Sequence, residues 1–251
     1  MMDPAALDDI DSVVNLGGVA IAGGLWTGPR REAILSSRVN TTATLARALA
    51  ERGGNAPTLI QASGIARYGG GSGTDLRTED SPAGHDFLAQ VVVAWERAAQ
   101  PAVDAGVRTV FLRTSPVLDR SGGPFLPMRL AWSLGLGATL GDGRQRMPLI
   151  SLDDYLGVLQ WSADTESASG AYNLTIPEPT TNAEFTDALA AQLGRPRLLR
   201  APAGVLRTVL GEFAGQLLDD MGVVPERLQR DGYRFYYPDV GSTIASALRT
   251  R

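Results

Sequence analysis

Residues 13–18 read Val-Val-Asn-Leu-Gly-Gly, a short apolar run that stops at two glycines. A run of this kind, bounded by turn residues, predicts a buried strand that ends in a tight turn. Further apolar runs at 58–63 and 107–113 predict two more strands, and apolar periodicity predicts helices over 34–50 and 87–99. Strands that alternate with helices in this way are typical of βαβ units. We therefore predict an α/β fold with a parallel sheet and helices on both faces.

The later part of the sequence becomes mostly helical. One more short strand is predicted at 171–174. The remaining apolar periodicity predicts helices at 127–134, 153–163, 182–193, 203–218 and 239–248. A small, mainly helical C-terminal region is therefore expected to follow the sheet.

Composition excludes several kinds of site. The 251 residues suffice for one full-sized domain, or for one domain with a small appendage. The chain has no cysteine, which excludes disulfides and thiolate sites, and His85 is the only histidine, which excludes a histidine-rich metal site. We expect no metal, and we expect His85 to face solvent near the start of a helix.

Charge and hydropathy argue against nucleic-acid and membrane partners. The formal net charge is −4 and the arginines are scattered, so no basic stripe is present to follow a phosphate backbone. The first residues carry neither the basic segment nor the apolar run of a secretory signal, and no apolar run has the length of a membrane span. These features predict a cytoplasmic protein.

Several stretches also match a known pattern in the correct order along the chain. They are 14–18, 25–27, 37–42, 62–69, 86–99, 112–118, 134–145, 181–185 and 233–238. Taken together and in this order, these stretches resemble the atypical, epimerase-like branch of the short-chain dehydrogenase/reductase superfamily. Examples are Leu-Arg-Thr-Ser-Pro-Val-Leu at 112–118 and Thr-Asn-Ala-Glu-Phe at 181–185.

The resemblance implies a fold, a cofactor and a reaction class. The fold is a Rossmann-like NAD(P)-binding-type domain over residues 1–198, with substrate-side segments from about residue 120, and a small helical C-terminal domain over 199–251. The cofactor is NADP or NAD, and the substrate is a small molecule, a nucleotide sugar or a similar carbinol. The alternative is a non-catalytic scaffold that senses a dinucleotide or self-associates as a homo-oligomer. A hydrolase that uses His85 is a third alternative.

The family pattern begins with a strand, a G-x-x-G-x-x-G turn and a helix, which this sequence lacks. The turn lets backbone amides and a helix N-terminus approach the pyrophosphate. The strand at 13–16 matches the fourth strand of the family, so we expect the first βαβ nucleotide-binding unit to be missing. Either the natural protein begins upstream and this chain is N-terminally truncated, or a shortened relative covers the strand edge by self-association. The glycines at 135–141 follow a helix, and those at 69–73 are expected in a flexible loop, so neither group is expected to bind phosphate.

The superfamily's Tyr-x-x-x-Lys pair is also absent. The helix that should carry it has Phe87 and Val91 at these positions, and the chain contains no lysine. The resemblance leaves Ser63 and Tyr68 as the candidate catalytic residues, at and after the end of the second strand. Capping of the strand end by Ser63 and ordinary loop packing of Tyr68 remain open.

Cofactor and substrate contacts follow from the same resemblance. Leu16, Gly17 and Gly18 should border the adenosine part of a dinucleotide, although the two glycines could serve only the tight turn. Arg113 ends a strand at the carboxyl edge of the sheet, where it could pair with a phosphate or a carboxylate.

Three further interpretations concern polar residues outside this group. Arg144 and Gln145 are expected to bind substrate. Asp86 is expected to be a helix N-cap, Glu96 a solvated or paired helix residue, and 153–154 an acidic helix N-terminus.

Overall fold

The computed structural model describes residues 4–22, 24–71 and 75–249. Met1–Asp3, Gly23, Ser72–Thr74 and Thr250–Arg251 lie outside the described residues, and with them part of the glycine-rich loop predicted at 69–73. The strands are β1 (Ser12–Asn15), β2 (Thr58–Gly64), β3 (Thr109–Thr114), β4 (Val117–Leu118), β5 (Ala138–Leu140), β6 (Ile150–Ser151), β7 (Gly170–Leu174) and β8 (Leu199–Ala201). The α-helices are α1 (Gly28–Ala50), α2 (Phe87–Arg97), α3 (Gln100–Asp104), α4 (Phe125–Ser133), α5 (Leu152–Asp164), α6 (Asn182–Leu193), α7 (Ala203–Leu210), α8 (Gly215–Leu218), α9 (Glu226–Arg230) and α10 (Val240–Leu248).

The main sheet has four strands in the order β1-β2-β3-β7. β1 and β2 run parallel, with Ser12 opposite Thr58 and Asn15 opposite Gln61. Two short parallel pairs, β4 with β6 and β5 with β8, form separate two-stranded sheets. The predicted α/β class and the parallel sheet are confirmed. β1 and β2 both end at the same edge, so the residues that follow them lie close together.

Local signals explain where the first helices begin. α1 starts at Gly28, earlier than predicted, because Pro29 in its first turn needs no hydrogen-bond partner for a backbone N–H. Asp86 is the N-cap of α2, and its carboxylate accepts a hydrogen bond from the Ala89 N–H at 2.8 Å. The predicted N-cap is thus confirmed. The helix ends at Arg97, and Pro101 lies in the first turn of α3.

The single helix predicted over 203–218 is wrong. α7 ends at Leu210, a 3-10 turn covers Gly211–Ala214, and α8 begins at Gly215. Gly211 has φ +56°, which interrupts a right-handed helix and which glycine adopts without steric cost.

The chain forms two compact units, each made of separate stretches. Unit 1 comprises Met1–Gly69, Pro82–Arg113 and Val158–Tyr172, and unit 2 comprises Gly70–Ser81, Thr114–Gly157 and Asn173–Arg251. Buried core residues of unit 1 include Leu7, Leu49, Leu59 and Val107. Those in unit 2 include Phe125, Trp132, Phe185, Leu189 and Ile244. The domain boundary expected near residue 199 stays a prediction.

The described ranges contain neither a membrane-spanning helix nor a cluster of metal-binding side chains. No helix there combines the length and the apolar character that a membrane span requires. Likewise, no group of three or more His, Cys, Asp or Glu side chains within these ranges is arranged to bind a metal ion.

Candidate active site

A buried group of polar side chains lies at the carboxyl ends of β2 and β3 in unit 1. Its centre is the Glu96 carboxylate on α2. The Ser63 hydroxyl donates a hydrogen bond to Glu96 Oε1 at 2.6 Å. Arg113 donates from Nε to Oε1 at 2.8 Å and from Nη2 to Oε2 at 3.1 Å. Ser63 and Arg113 are each only 6% exposed, so these bonds lie away from solvent.

Tyr68 joins this group through Arg113. It ends the 3-10 turn Ile65–Tyr68 that follows β2, and it is 3% exposed. Arg113 Nη1 donates to the Tyr68 hydroxyl oxygen at 2.9 Å, and the guanidinium carbon lies 5.5 Å from the ring centroid. The fold thus brings Ser63, Tyr68 and Arg113 together around Glu96.

Sequence analysis did not select Glu96 as a site residue. It was expected to be either solvated or paired, and pairing is confirmed. The cofactor-binding role predicted for Arg113 stays a prediction, and its guanidinium is engaged with Glu96 and Tyr68 in this structure. Ser63 and Tyr68 likewise remain predicted catalytic residues.

A second arginine gives the group a net positive charge. Arg67 Nη1 lies 3.5 Å from Glu96 Oε2, and the buried Arg67 Nε has no hydrogen-bond partner within the described ranges. Two guanidinium groups therefore share one carboxylate. Burial acts to lower the pKa of Arg113, but its hydrogen bonds to Glu96, the charge of Glu96 and then Tyr68 together raise that pKa above its ordinary value.

A close backbone contact at Gly84 fixes the position of the turn that carries Tyr68. The Gly84 N–H donates to the Arg67 carbonyl at 2.8 Å. A Cβ atom at Gly84 would lie 2.6 Å from the Tyr68 carbonyl oxygen and 2.7 Å from the Gly69 Cα. Only glycine leaves room here for the two segments to approach each other.

The turn after β1 lies at the same edge of the sheet. The Asn15 side chain donates to Thr42 Oγ1 at 3.0 Å and to Gln61 Oε1 at 2.9 Å, and it accepts from the Gly17 N–H at 3.2 Å. Leu16 is 54% exposed. A Cβ at Gly18 would lie 2.9 Å from the Arg38 guanidinium carbon.

That contact gives Gly18 a structural reason to be glycine. Arg38 donates from Nη1 to the carbonyls of Val19 and Ile34, each at 3.0 Å, and fastens the turn to α1. Burial lowers the pKa of Arg38. The cofactor role of Leu16, Gly17 and Gly18 stays a prediction.

The predicted substrate residues lie in unit 2. Arg144 is exposed, and its backbone N–H donates to Asp142 Oδ1 at 3.0 Å. Gln145 is buried, and its side-chain amide donates to the carbonyls of Leu140 and Leu217 at 3.1 Å. Gln145 also lines a cavity of about 420 Å³ together with Arg200 and Arg207. Their substrate role stays a prediction.

His85 lies where the sequence placed it. It is exposed just before α2, and its carbonyl accepts a hydrogen bond from the Gln90 side chain at 2.9 Å. The side chain borders a largely apolar cavity of about 680 Å³ between α1 and α2. The predicted solvent-facing position near a helix start is confirmed.

Comparison with known proteins gives the chain its relatives. Residues 201–247 match a family model described as a domain of unknown function, DUF1731. The chain is 42% identical over 246 residues to an epimerase family protein of Mycobacterium bovis, which covers 98% of this chain and 81% of that protein. It is 34% identical to the human epimerase family protein SDR39U1, over 96% of this chain and 83% of that protein. The chain belongs to this epimerase family.

Solved structures agree with that assignment to the epimerase family. The crystal structure of human SDR39U1 with NADPH matches with a TM-score of 0.91 and 33% identity, over 97% of this chain and 84% of that chain. A nucleoside-diphosphate sugar epimerase from Corynebacterium glutamicum matches with a TM-score of 0.79 and 32% identity, over 98% of this chain and 48% of that chain. The Rossmann-like fold with its helical C-terminal region is thereby confirmed.

Proposed function

We propose that the chain is a NAD(P)-dependent enzyme that epimerises or oxidises a carbinol carbon of a nucleotide sugar or a similar substrate. The observation that carries the proposal is the buried group formed by Ser63, Glu96, Arg113 and Tyr68 at the carboxyl edge of the sheet. Ligands of open α/β folds bind at this edge. The names of the relatives support the reaction class, and the human relative's structure with NADPH supports the cofactor.

The reaction requires two transfers from the substrate carbinol. A hydride leaves the carbon and a proton leaves the hydroxyl, and their return to the opposite face of the resulting carbonyl gives the epimer. A nicotinamide dinucleotide supplies the hydride acceptor and donor when it is bound. The protein must supply the proton acceptor. Our candidate is Tyr68, which is linked to Ser63 through Arg113 and Glu96.

The residues after β1 fit one wall of a dinucleotide site. Leu16 presents an exposed apolar side chain. Asn15 pairs with Gln61, so this turn lies beside the end of β2, which carries Ser63. We propose that Leu16 packs on a flat ring of the cofactor and that Gly17 and Gly18 let the backbone approach it.

Arg144 and Gln145 are proposed to act on the substrate side in different ways. The Arg144 guanidinium makes no hydrogen bond or ion pair within the described part of the chain and can pair with a diphosphate. The Gln145 side-chain amide donates its hydrogen bonds to the carbonyls of Leu140 and Leu217. Gln145 would therefore position the loop that carries Arg144.

Calorimetry with NADPH and with NAD, followed by NMR of UDP-glucose and UDP-glucuronic acid incubated with the protein, tests the proposal. Binding of either dinucleotide with conversion of either sugar supports it. Binding without conversion would favour the dinucleotide-sensing alternative, and no binding by folded protein would overturn the cofactor assignment.

A pair of exposed leucines provides the matched control for the binding measurement. Leu16→Ser should weaken NADPH binding by about fivefold, because it removes about 1 kcal/mol of apolar contact. Leu25→Ser alters a residue that is 70% exposed and should leave the Kd unchanged. Equal effects of the two substitutions would contradict the proposed position of the cofactor.

A further inference from the structure

The chain contains no lysine, the residue that lowers the pKa of the catalytic tyrosine elsewhere in the superfamily. We propose that Arg113, oriented by Glu96 and assisted by the charge of Arg67, takes the place of lysine and stabilises the Tyr68 phenolate that accepts the substrate proton. This inference rests on the proposed function. It makes Tyr68 a catalytic residue, and it makes Arg113, Glu96 and Arg67 positioning residues that act through it.

The shape of the guanidinium explains how Arg113 is aimed at Tyr68. An arginine carries five N–H donors in a rigid planar fork. Glu96 accepts from the Nε and Nη2 edge of this fork, at 2.8 and 3.1 Å. Nη1 is thereby turned towards the Tyr68 oxygen, 2.9 Å away. A hydrogen bond from a charged donor strengthens when its acceptor becomes an anion, so this geometry favours the phenolate.

The net charge around Tyr68 is positive, which favours a phenolate. Glu96 alone would cancel the charge of Arg113. Arg67, on the same 3-10 turn as Tyr68, adds a second cation 3.5 Å from that carboxylate, so the three groups carry one net positive charge. Asp86, near Gly69, is a further acid close to this turn, and its carboxylate caps α2.

Burial by itself disfavours a phenolate, but it also strengthens the attraction of Arg113 that opposes this cost. Tyr68 and Arg113 are 3% and 6% exposed, and charges away from water are screened less. The favourable charge interaction between Arg113 and Tyr68 also contributes to the raised pKa of Arg113. Because such coupling is reciprocal, the same interaction favours loss of the Tyr68 proton.

The proposed step balances atoms and charge. The substrate hydroxyl transfers its proton to the Tyr68 oxygen while the carbinol carbon gives up a hydride to the oxidised dinucleotide. The products are a substrate carbonyl, a neutral Tyr68 and the reduced dinucleotide. In the reverse step the carbonyl carbon takes the hydride back on its other face, and the carbonyl oxygen takes the proton from Tyr68.

The first test follows tyrosine ionisation by NMR of protein labelled at the tyrosine ring carbons, with Tyr68→Phe identifying the Tyr68 signal. Arg113→Met should move ionisation of Tyr68 to higher pH, because the cation is lost. Glu96→Gln keeps one acceptor oxygen for Arg113 and removes the opposing charge, so it should move ionisation of Tyr68 to lower pH. Arg113→Lys keeps the charge, so it should shift the pH at which Tyr68 ionises less than Arg113→Met does.

A similar arginine–tyrosine contact elsewhere serves as control. Arg249 lies 5.7 Å from the Tyr237 ring centroid and donates to the Tyr237 hydroxyl at 3.3 Å. Arg249→Met should leave the Tyr68 signal unchanged. If Arg113→Met and Glu96→Gln both leave the ionisation of Tyr68 unchanged in folded protein, the proposal is overturned.

The second test measures kcat and KM against pH with NADPH or NAD and the UDP-sugar that the native chain converts. Tyr68→Phe should lower kcat by at least about 100-fold with little change in KM. Arg113→Met should lower kcat and shift the acid limb of the profile to higher pH. Native turnover with full activity of Tyr68→Phe would sink this inference and the choice of Tyr68 as proton acceptor, and it would leave the proposed reaction class intact. Absence of native turnover with every sugar would overturn both.

Discussion

The carboxylate of Asp154 accepts a hydrogen bond from the backbone N–H of Tyr236 at 2.8 Å, although 82 positions separate the two residues. The neighbouring N–H of Tyr237 donates to the same carboxylate at 3.1 Å, and Ser151 Oγ donates at 2.8 Å. Asp154 is fully buried, and burial raises its pKa although these donors oppose that rise. The first turn of α5 thereby fixes the chain segment that precedes α10 within unit 2.

We predict that Asp154→Ala lowers the free energy of unfolding by about 2–3 kcal/mol, because buried N–H groups lose their acceptor. Urea denaturation followed by circular dichroism measures the change. Asp153→Ala, in the same first helical turn, is the control and should cost no more than about 1 kcal/mol. Equal losses would show that only the helix N-terminus is affected.

The Arg146–Asp220 pair in unit 2 predicts a pH dependence. Asp220 accepts from the Arg146 backbone N–H at 2.6 Å and from Nε at 3.0 Å, and it also pairs with Nη2. Burial acts to raise the pKa of Asp220, but the hydrogen bonds and charge of Arg146 outweigh it and lower that pKa. The folded pKa therefore lies below the unfolded value of about 3.9. The stabilisation is complete above that value and is lost as pH falls through the folded pKa.

Thermal unfolding of the native chain and of Asp220→Asn between neutral and acid pH tests this dependence. The native chain should be more stable by about 2 kcal/mol at neutral pH, and the difference should shrink below about pH 4. Asp187→Asn removes an exposed pair with Arg197 and should change little at any pH. A difference between native and Asp220→Asn that is constant with pH would contradict the assigned cause.

Arg108 closes the C-terminal end of α5. Its Nη1 donates to the carbonyls of Ser162 and Thr165, each at 2.9 Å, and its Nη2 donates to that of Ala163 at 3.0 Å. The last carbonyls of a helix have no partner within the helix, and a cation beside them is favourable.

Arg108→Ala should lower the free energy of unfolding by about 2 kcal/mol. Arg108→Lys keeps the charge without the fork and should lose an intermediate amount. Urea denaturation measures both, with the exposed Arg207→Ala as the control expected to stay within about 0.5 kcal/mol of native. Full stability of Arg108→Ala would refute this role.

Gly84 should tolerate no side chain. Gly84→Ala places a methyl group against the backbone at Tyr68 and Gly69 and should cost about 1–3 kcal/mol. Gly54→Ala is the matched control, because a Cβ there meets no atom within 4 Å. Differential scanning calorimetry compares the two. A lowered Tm for both, or for neither, would disprove the close contact.

Helices with end signals in their own sequence could be predicted best. α6 has the bounds expected from sequence. Thr181 and Glu184 form a capping box at its start, and Gly194 adopts a left-handed conformation after its end. These signals act within a few residues, so the sequence alone contains them.

Elements that depend on distant partners could not be predicted. β4 has two residues and exists through its pairing with β6, where Val117 lies opposite Ile150. Nothing local at Val117 specifies that partner. The break at Gly211 was hidden for a related reason, because apolar periodicity continued across the glycine while its backbone turned to positive φ.

The candidate site was only partly visible in the sequence. Ser63 and Tyr68 were selected because their positions match the family pattern. Glu96 belongs to the site because it accepts hydrogen bonds from Ser63 and Arg113, which lie 33 and 17 positions away in the sequence. The usable signal was the presence of polar residues near the ends of apolar strands β2 and β3, which need a buried partner.

The interleaving of the two units along the chain affects how the protein is made. Unit 1 is complete only after Val158–Tyr172 has been synthesised, and Thr114–Gly157 of unit 2 is synthesised before that. Gly170 follows Thr114 by about 56 residues. At about 5–20 residues per second, the edge of β3 that receives β7 waits roughly 3–11 seconds on the ribosome. During this interval the nascent chain carries an open strand edge, which another strand could pair with before β7 arrives.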